Sequence, residues 1–131
     1  MAEPAPLPAD VEAIATAVVD SAFKVHKALG PGLLESAYEA CLAHELTARR
    51  LSLQRQVPIP IVYEGLRLEA GFRIDLLVAD QVIIEIKAID KEAPIHIAQL
   101  LTYLRFSGKR LGFLINFNVT AIKHGVRRVV L

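Results

Sequence analysis

The stretch Gly71-Phe-Arg-Ile-Asp-Leu-Leu-Val-Ala-Asp-Gln-Val-Ile-Ile-Glu-Ile-Lys87 decides how the rest of this chain is read. It predicts two strands joined by a tight turn at Ala79 and Asp80. Successive side chains on a strand point to opposite faces. On that rule Leu66, Leu68, Ala70, Phe72, Ile74, Leu76 and Val78 share one face, and Arg67, Glu69, Gly71, Arg73 and Asp75 the other. After the turn, Val82, Ile84, Ile86 and Ala88 alternate with Ile83, Glu85 and Lys87. Glu85 and Lys87 therefore share one side, with Asp75 on the neighbouring strand. Val82, Ile83, Ile84 and Ile86 make the second strand apolar on both faces, the pattern of a central strand covered on both sides. Charges in such a strand are costly to bury without a partner or a metal ion.

Two readings of these charges stand side by side. Mg²⁺ takes hard oxygen ligands, typically one or two carboxylates with waters and a phosphate oxygen. Asp75 and Glu85 can share one such ion (Mg²⁺, or Mn²⁺), with the main-chain carbonyl of Ile86 as a third oxygen. Lys87 then lies beside the attacking water or the charge developing on a phosphate. In the plainer reading Glu85 and Lys87 form a solvated face, and Asp75 pairs across the strands with Lys87 or Arg73. The apolar company of the strand favours the metal.

Outward from this hairpin, Val57, Ile59, Ile61 and Tyr63 alternate with Pro58, Pro60 and Val62, and the two prolines assign this strand to a sheet edge. Glu64-Gly65 is the hairpin turn into the Leu66–Val78 strand. Further upstream, Ile14, Val18, Ala22, Val25 and Leu29 recur at helical spacing over about 10–29, and Gly30-Pro31-Gly32 ends that helix. A second helix over about 33–50 carries Leu34, Ala37, Tyr38, Cys41, Leu42 and Leu46 as its apolar stripe, with Glu35 in its first turn.

Downstream, Pro94 opens a third helix that Gly108 closes. Ile97, Leu100, Leu101 and Leu104 form its buried side, and His96, Gln99 and Tyr103 share another. That row suits a substrate strand or a simple hydrogen-bonded edge. Leu111–Phe117 reads as another strand apolar on both faces, and Val126–Leu131 as a short last one. Connection through a helix makes the Val82–Ala88 and Leu111–Phe117 strands parallel. The order implies an α/β fold, a mixed sheet flanked by helices on both faces.

Length and composition agree. The 131 residues, 53% of them hydrophobic, suffice for one domain, placed at 10–131 after a loose lead-in over 1–9 that holds Pro4, Pro6 and Pro8. No apolar run approaches a membrane span, and the first residues lack a signal pattern, so a cytoplasmic protein without a membrane role is expected. Cys41, the one cysteine, cannot form a disulfide within this chain and reads as a small core residue. The net charge of +1 does not mark a nucleic-acid binder. Lys109, Arg110, Lys123, His124, Arg127 and Arg128 can meet phosphates or be ordinary surface.

Taken together, Asp75 and Glu85-Ile86-Lys87 resemble the PD-(D/E)XK nuclease signature, with Ile74 where the superfamily name has proline. Gln99 and Tyr103 resemble the Gln-x-x-x-Tyr element of its RecB-like branch. Gly32-Leu-Leu-Glu35-Ser-Ala-Tyr38 resembles the motif of the GxxExxY protein family. The resemblance spans about 11–131. It implies the restriction-endonuclease-like fold, Glu35 as an acid facing the hairpin, and Gly32 as a point of close helix approach.

The function expected is Mg²⁺-dependent hydrolysis of DNA or RNA. Asp75 and Glu85 are the expected ligands, Glu35 a further one directly or through water, Lys87 the residue at the attacking water, and Gln99, Tyr103 and His96 the substrate contacts. The rival is a non-catalytic module that keeps the fold to bind nucleic acid or protein. A homodimer would give so small a nuclease access to both strands of a duplex.

Overall fold

Helical spacing of apolar residues builds the first two elements in the computed structural model, which describes residues 3–131. In α1 (Ala9–Leu29), Val11, Ala15, Val18, Ala22 and Val25 form the buried face, and Asp10 and Glu12 occupy the first turn. Leu29, expected on that face, is exposed. Gly30 ends the helix at φ 66° and ψ −173°, a region open essentially to glycine alone. In α2 (Glu35–Ala48), Tyr38, Leu42 and Leu46 are buried, as the stripe requires. Leu34 is not part of it: it precedes the helix and is 77% exposed.

Tyr38 holds the turn between these helices. Its hydroxyl donates to the Gly30 carbonyl at 2.6 Å and accepts from the Leu33 amide at 3.1 Å. Its ring stacks on Phe117 at 4.6 Å. Tyr38→Phe keeps the stacking and strands both main-chain groups, so a loss of about 1–3 kcal/mol is expected in denaturant unfolding at an unchanged m value. An unaltered midpoint would show that water replaces the hydroxyl without cost. Gly32 serves this turn differently from the expectation of close helix approach. It sits at φ 104° with open space where a Cβ would be, so it is backbone conformation that calls for glycine there.

The remaining elements are β1 (Leu53–Tyr63), β2 (Leu66–Val78), β3 (Val82–Lys87), α3 (Pro94–Ser107), β4 (Leu111–Asn116), a 3₁₀ turn (Ile122–His124) and β5 (Val126–Val130). The strands lie in chain order, with β3 and β4 parallel through α3 and the other pairs antiparallel. Helices α1 and α2 cover one face, where Val18, Tyr38 and Leu42 meet Val78, Ile84 and Phe113. Helix α3 covers the other, where Leu100 and Leu104 meet Ile74, Leu77, Ile83 and Leu114. The fold is thus the expected α/β arrangement of a mixed sheet between helices, with β1 and its prolines at the edge.

One expectation fails at the position that matters most. Ile74 and Leu77 belong to the α3 side, whereas Leu76 and Val78 belong to the other. The even residues of β2 therefore do not share one face; the strand changes face at Asp75. On β1, Arg55 opposes Leu76 and Val57 opposes Ile74, and the intervening Gln56 is left-handed at φ 52°. The register is unbroken across this rung, so the left-handed residue kinks the strand without a bulge. The β2–β3 ladder runs from Val78↔Val82 only to Leu76↔Ile84. Beyond it, β1 and β2 continue as a two-stranded ribbon, on which Leu66 and Leu68 are 58% and 49% exposed instead of buried.

Candidate functional site

The β2–β3 register, carried one step further, sets Asp75 against Glu85. Main-chain pairing is replaced there by side-chain pairing. The Asp75 amide donates to Glu85 Oε1 at 3.1 Å, and the Ile86 amide donates to Asp75 Oδ2 at 2.8 Å. Each carboxylate stands where a ladder carbonyl would, so the two acids are held side by side by the backbone of the opposite strand. Gln56 Nε2 donates to the other oxygen of Asp75 at 3.2 Å.

Electrostatics make this rung costly. Glu85 is only 8% exposed, and among the described residues no basic group lies within 4.0 Å of either acid. Burial first, and then the charge of Asp75, push the Glu85 carboxyl up to about 8. Burial also raises Asp75, against the hydrogen bonds from Ile86 and Gln56, with the charges of Glu39 and Glu35 adding to the rise. Lys87 follows Glu85 on the same side of β3, half-buried, and its charge partly offsets the rise at Glu85.

The other residues read from the sequence lie at graded distances from this pair. Tyr103 stacks on Phe72 at 4.3 Å, and its hydroxyl is raised by burial and then by the charges of Glu85 and Asp75. It therefore sits beside the acids on the α3 side. Gln99, one turn earlier, is exposed. His96 is engaged locally, its Nδ1 accepting from the Ala93 amide at 3.1 Å at the start of α3. Glu35 is exposed at the start of α2 and lines an open depression with Ala88, just past the end of β3.

Three residues near the pair were not expected. Glu39 is buried and accepts hydrogen bonds from Gln56 Nε2 at 2.6 Å and Arg55 Nε at 3.1 Å. Its spacing of four from Glu35 places it on the same side of the helix and could have flagged it. Gln56 carried no sequence signal. Asn116, a buried polar residue ending an apolar strand, exchanges hydrogen bonds with Ile89 at 3.0 and 3.1 Å and fixes the chain that leaves β3. The basic residues near the C-terminus are largely engaged within the chain: Lys109 with Asp80, Arg127 with Glu92, Arg128 with Glu12. Arg110 reaches main-chain carbonyls of Ala5, Pro6 and Leu131.

The donor set at the rung fits a small hard cation. Two carboxylates lie side by side, and Glu85 is buried without a cationic partner, a state that proteins stabilise by protonation or by a metal ion. Among the described residues, no three His, Cys, Asp or Glu side chains converge on one ion position. The arrangement is thus a two-carboxylate one, with Glu35 outside it.

Among the described residues no helix is long and apolar enough to cross a membrane. No curated protein and no solved structure matches the chain at a significant level. A family model described as the PD-(D/E)XK nuclease superfamily matches residues 12–129. With that match over nearly its whole length, and with a mixed sheet between helices, the chain belongs to the PD-(D/E)XK nuclease superfamily.

Proposed function

We propose that this chain is a Mg²⁺- or Mn²⁺-dependent nuclease that hydrolyses phosphodiester bonds in DNA or RNA. The observation that carries the reading is the rung of Asp75 and Glu85, a half-buried and a buried acid held together without a basic partner and followed by Lys87. Superfamily membership implies a nucleic-acid substrate. When bound, the metal supplies Lewis acidity and a water of lowered pKa.

The chain's own residues do the rest. Asp75 and Glu85 offer carboxylate oxygens, and the Ile86 carbonyl a main-chain one. Lys87 Nζ orients the attacking water or meets the charge developing on the phosphate. Tyr103 and Gln99 position the substrate strand along α3, and His96 shapes the start of that helix. Glu35, at the open depression beside Ala88, would act on the metal only through a water. At finer grain, we place the chain in the GxxExxY family and the RecB-like branch, acting in the cytoplasm and as a homodimer on duplex substrates.

Metal linkage tests this reading. A ligand that binds only the folded state at 100 times its Kd adds about 2.7 kcal/mol of stability. Melting in millimolar Mg²⁺ or Mn²⁺ is expected to exceed melting in chelator by several degrees, and Asp75→Asn to remove most of the rise. An unchanged melting temperature would favour the non-catalytic binding module, which the largely self-paired basic residues would also suit.

A further inference from the structure

We infer that Gln56, anchored by Glu39, is a positioning residue that fixes the carboxylate of Asp75. The inference rests on the nuclease reading of the same site and adds residues that lie outside the three motifs.

Four side chains form one row across two layers. Arg55 Nη2 lies 3.0 Å from Glu39 Oε2. The other oxygen of Glu39, Oε1, accepts from Gln56 Nε2 at 2.6 Å. The same Nε2 donates to Asp75 Oδ1 at 3.2 Å. A side-chain amide carries two N–H donors on one nitrogen, and here one serves each carboxylate. Asp75 Oδ2 is held from the opposite direction by the Ile86 amide at 2.8 Å. Both oxygens of Asp75 are thus fixed, one by β3 and one by Gln56, and the carboxylate cannot turn without breaking a hydrogen bond.

The backbone explains how β1 reaches the row. Neighbouring side chains on a regular strand point to opposite faces, so Arg55 and Gln56 should not meet the same carboxylate. They do so because Gln56 is left-handed at φ 52°, a conformation that residues with a side chain seldom adopt. Strain of this kind persists where surrounding structure over-determines it, and it clusters at functional sites. The kink lies on the rung where β2 changes face. It swings the Gln56 amide between Glu39 of α2 and Asp75 of β2. Glu39 is buried, and its charge is balanced by Arg55. That leaves it a fixed acceptor able to hold the amide in place.

The consequence concerns metal affinity and turnover rather than substrate grip. Partners that orient a ligating carboxylate typically contribute 10–100-fold to affinity or activity. The test uses the full chain and Mn²⁺ as the probe, with free Mn²⁺ read by electron paramagnetic resonance. Gln56→Leu keeps the bulk and loses the donors. Gln56→Gly loses the side chain and suits the left-handed backbone, so it remains folded if the kink strains the leucine variant. Both are expected to bind Mn²⁺ about 10-fold or more weakly than wild type, with the glycine variant still unfolding cooperatively in chelator. At saturating Mn²⁺, kcat is expected to fall while KM for a labelled oligonucleotide stays the same. Wild-type Mn²⁺ affinity and kcat in the glycine variant would overturn the inference and leave the nuclease reading standing. Wild-type protein that neither binds Mn²⁺ nor cleaves would overturn both, so the two failures are distinguishable.

Discussion

Lys87→Ala is expected to lower cleavage of a labelled nucleic acid in Mg²⁺ by about 100-fold or more, while affinity measured in Ca²⁺, where turnover is suppressed, changes little. The expectation follows from where the ammonium group stands. Lys87 is half-buried on the same side of β3 as Glu85, and it has no acid within salt-bridge distance among the described residues. On the nuclease reading proposed above, a cation held there without a partner would serve charge that appears only during the reaction. Interactions stronger in the transition state than in the ground state raise kcat and leave substrate binding nearly unchanged. A phosphate clamp would behave otherwise: its removal would weaken binding and reduce the salt dependence by about one unit of slope. A mutant that binds poorly yet cleaves normally at saturating substrate would reassign Lys87 to that role. Wild-type protein that binds every substrate type and cleaves none, with Mg²⁺ or Mn²⁺ present, would make the chain a binding module.

The second large effect is on stability and needs no substrate. Burial, and then the charge of Asp75, push the Glu85 carboxyl up to about 8 from an ordinary value of 4.5. The folded state therefore holds this proton more tightly than the unfolded state does. Stability from this group is complete below about pH 4.5 and is lost as pH rises to about 8, by up to about 1.4 kcal/mol per pH unit. Asp75, also raised, acts with the same sign. Glu45, held below its ordinary value by its hydrogen bond from Lys24, acts with the opposite sign and at lower pH.

Denaturant unfolding in chelator is thus expected to show stability falling between pH 5 and pH 8. Glu85→Gln should flatten that slope and be more stable than wild type at pH 8, by on the order of a few kcal/mol. If the proposed metal binds these oxygens it competes with the proton for them, so Mg²⁺ should restore stability most at the alkaline end. Equal slopes in wild type and Glu85→Gln would mean that Glu85 does not titrate in this window, and that water reaches it more freely than its burial implies.

Much of this molecule is legible in the order of its residues. Period-two and helical spacing locate the strands and helices to within a few residues, because hydrophobic burial imposes the geometry of each element on the sequence. Pro58 and Pro60, which lack an N–H to donate, mark β1 as an edge. Apolar residues on both faces mark β3 and β4 as central. The helix between them makes these two strands parallel. The acids and the lysine are legible for the same reason: a charge in such a strand is an exception that burial alone would not favour.

Other features appear only once the chain is folded. Strict alternation puts Ile74 and Leu76 on one face, and counting cannot detect a left-handed residue on the neighbouring strand. Gln56 has no intrinsic preference for that conformation. The kink arises because Glu39, Asp75 and the β1–β2 register jointly hold it. Leu66 and Leu68 have side chains suited to burial, yet the ribbon carries them past the helices that could cover them. Local sequence thus determined which segments form strands and helices, and which charges are out of place. Tertiary structure alone decided which oxygens face each other across the Asp75 rung, because hydrogen bonds between distant strands are set by packing, and packing is a property of the whole chain.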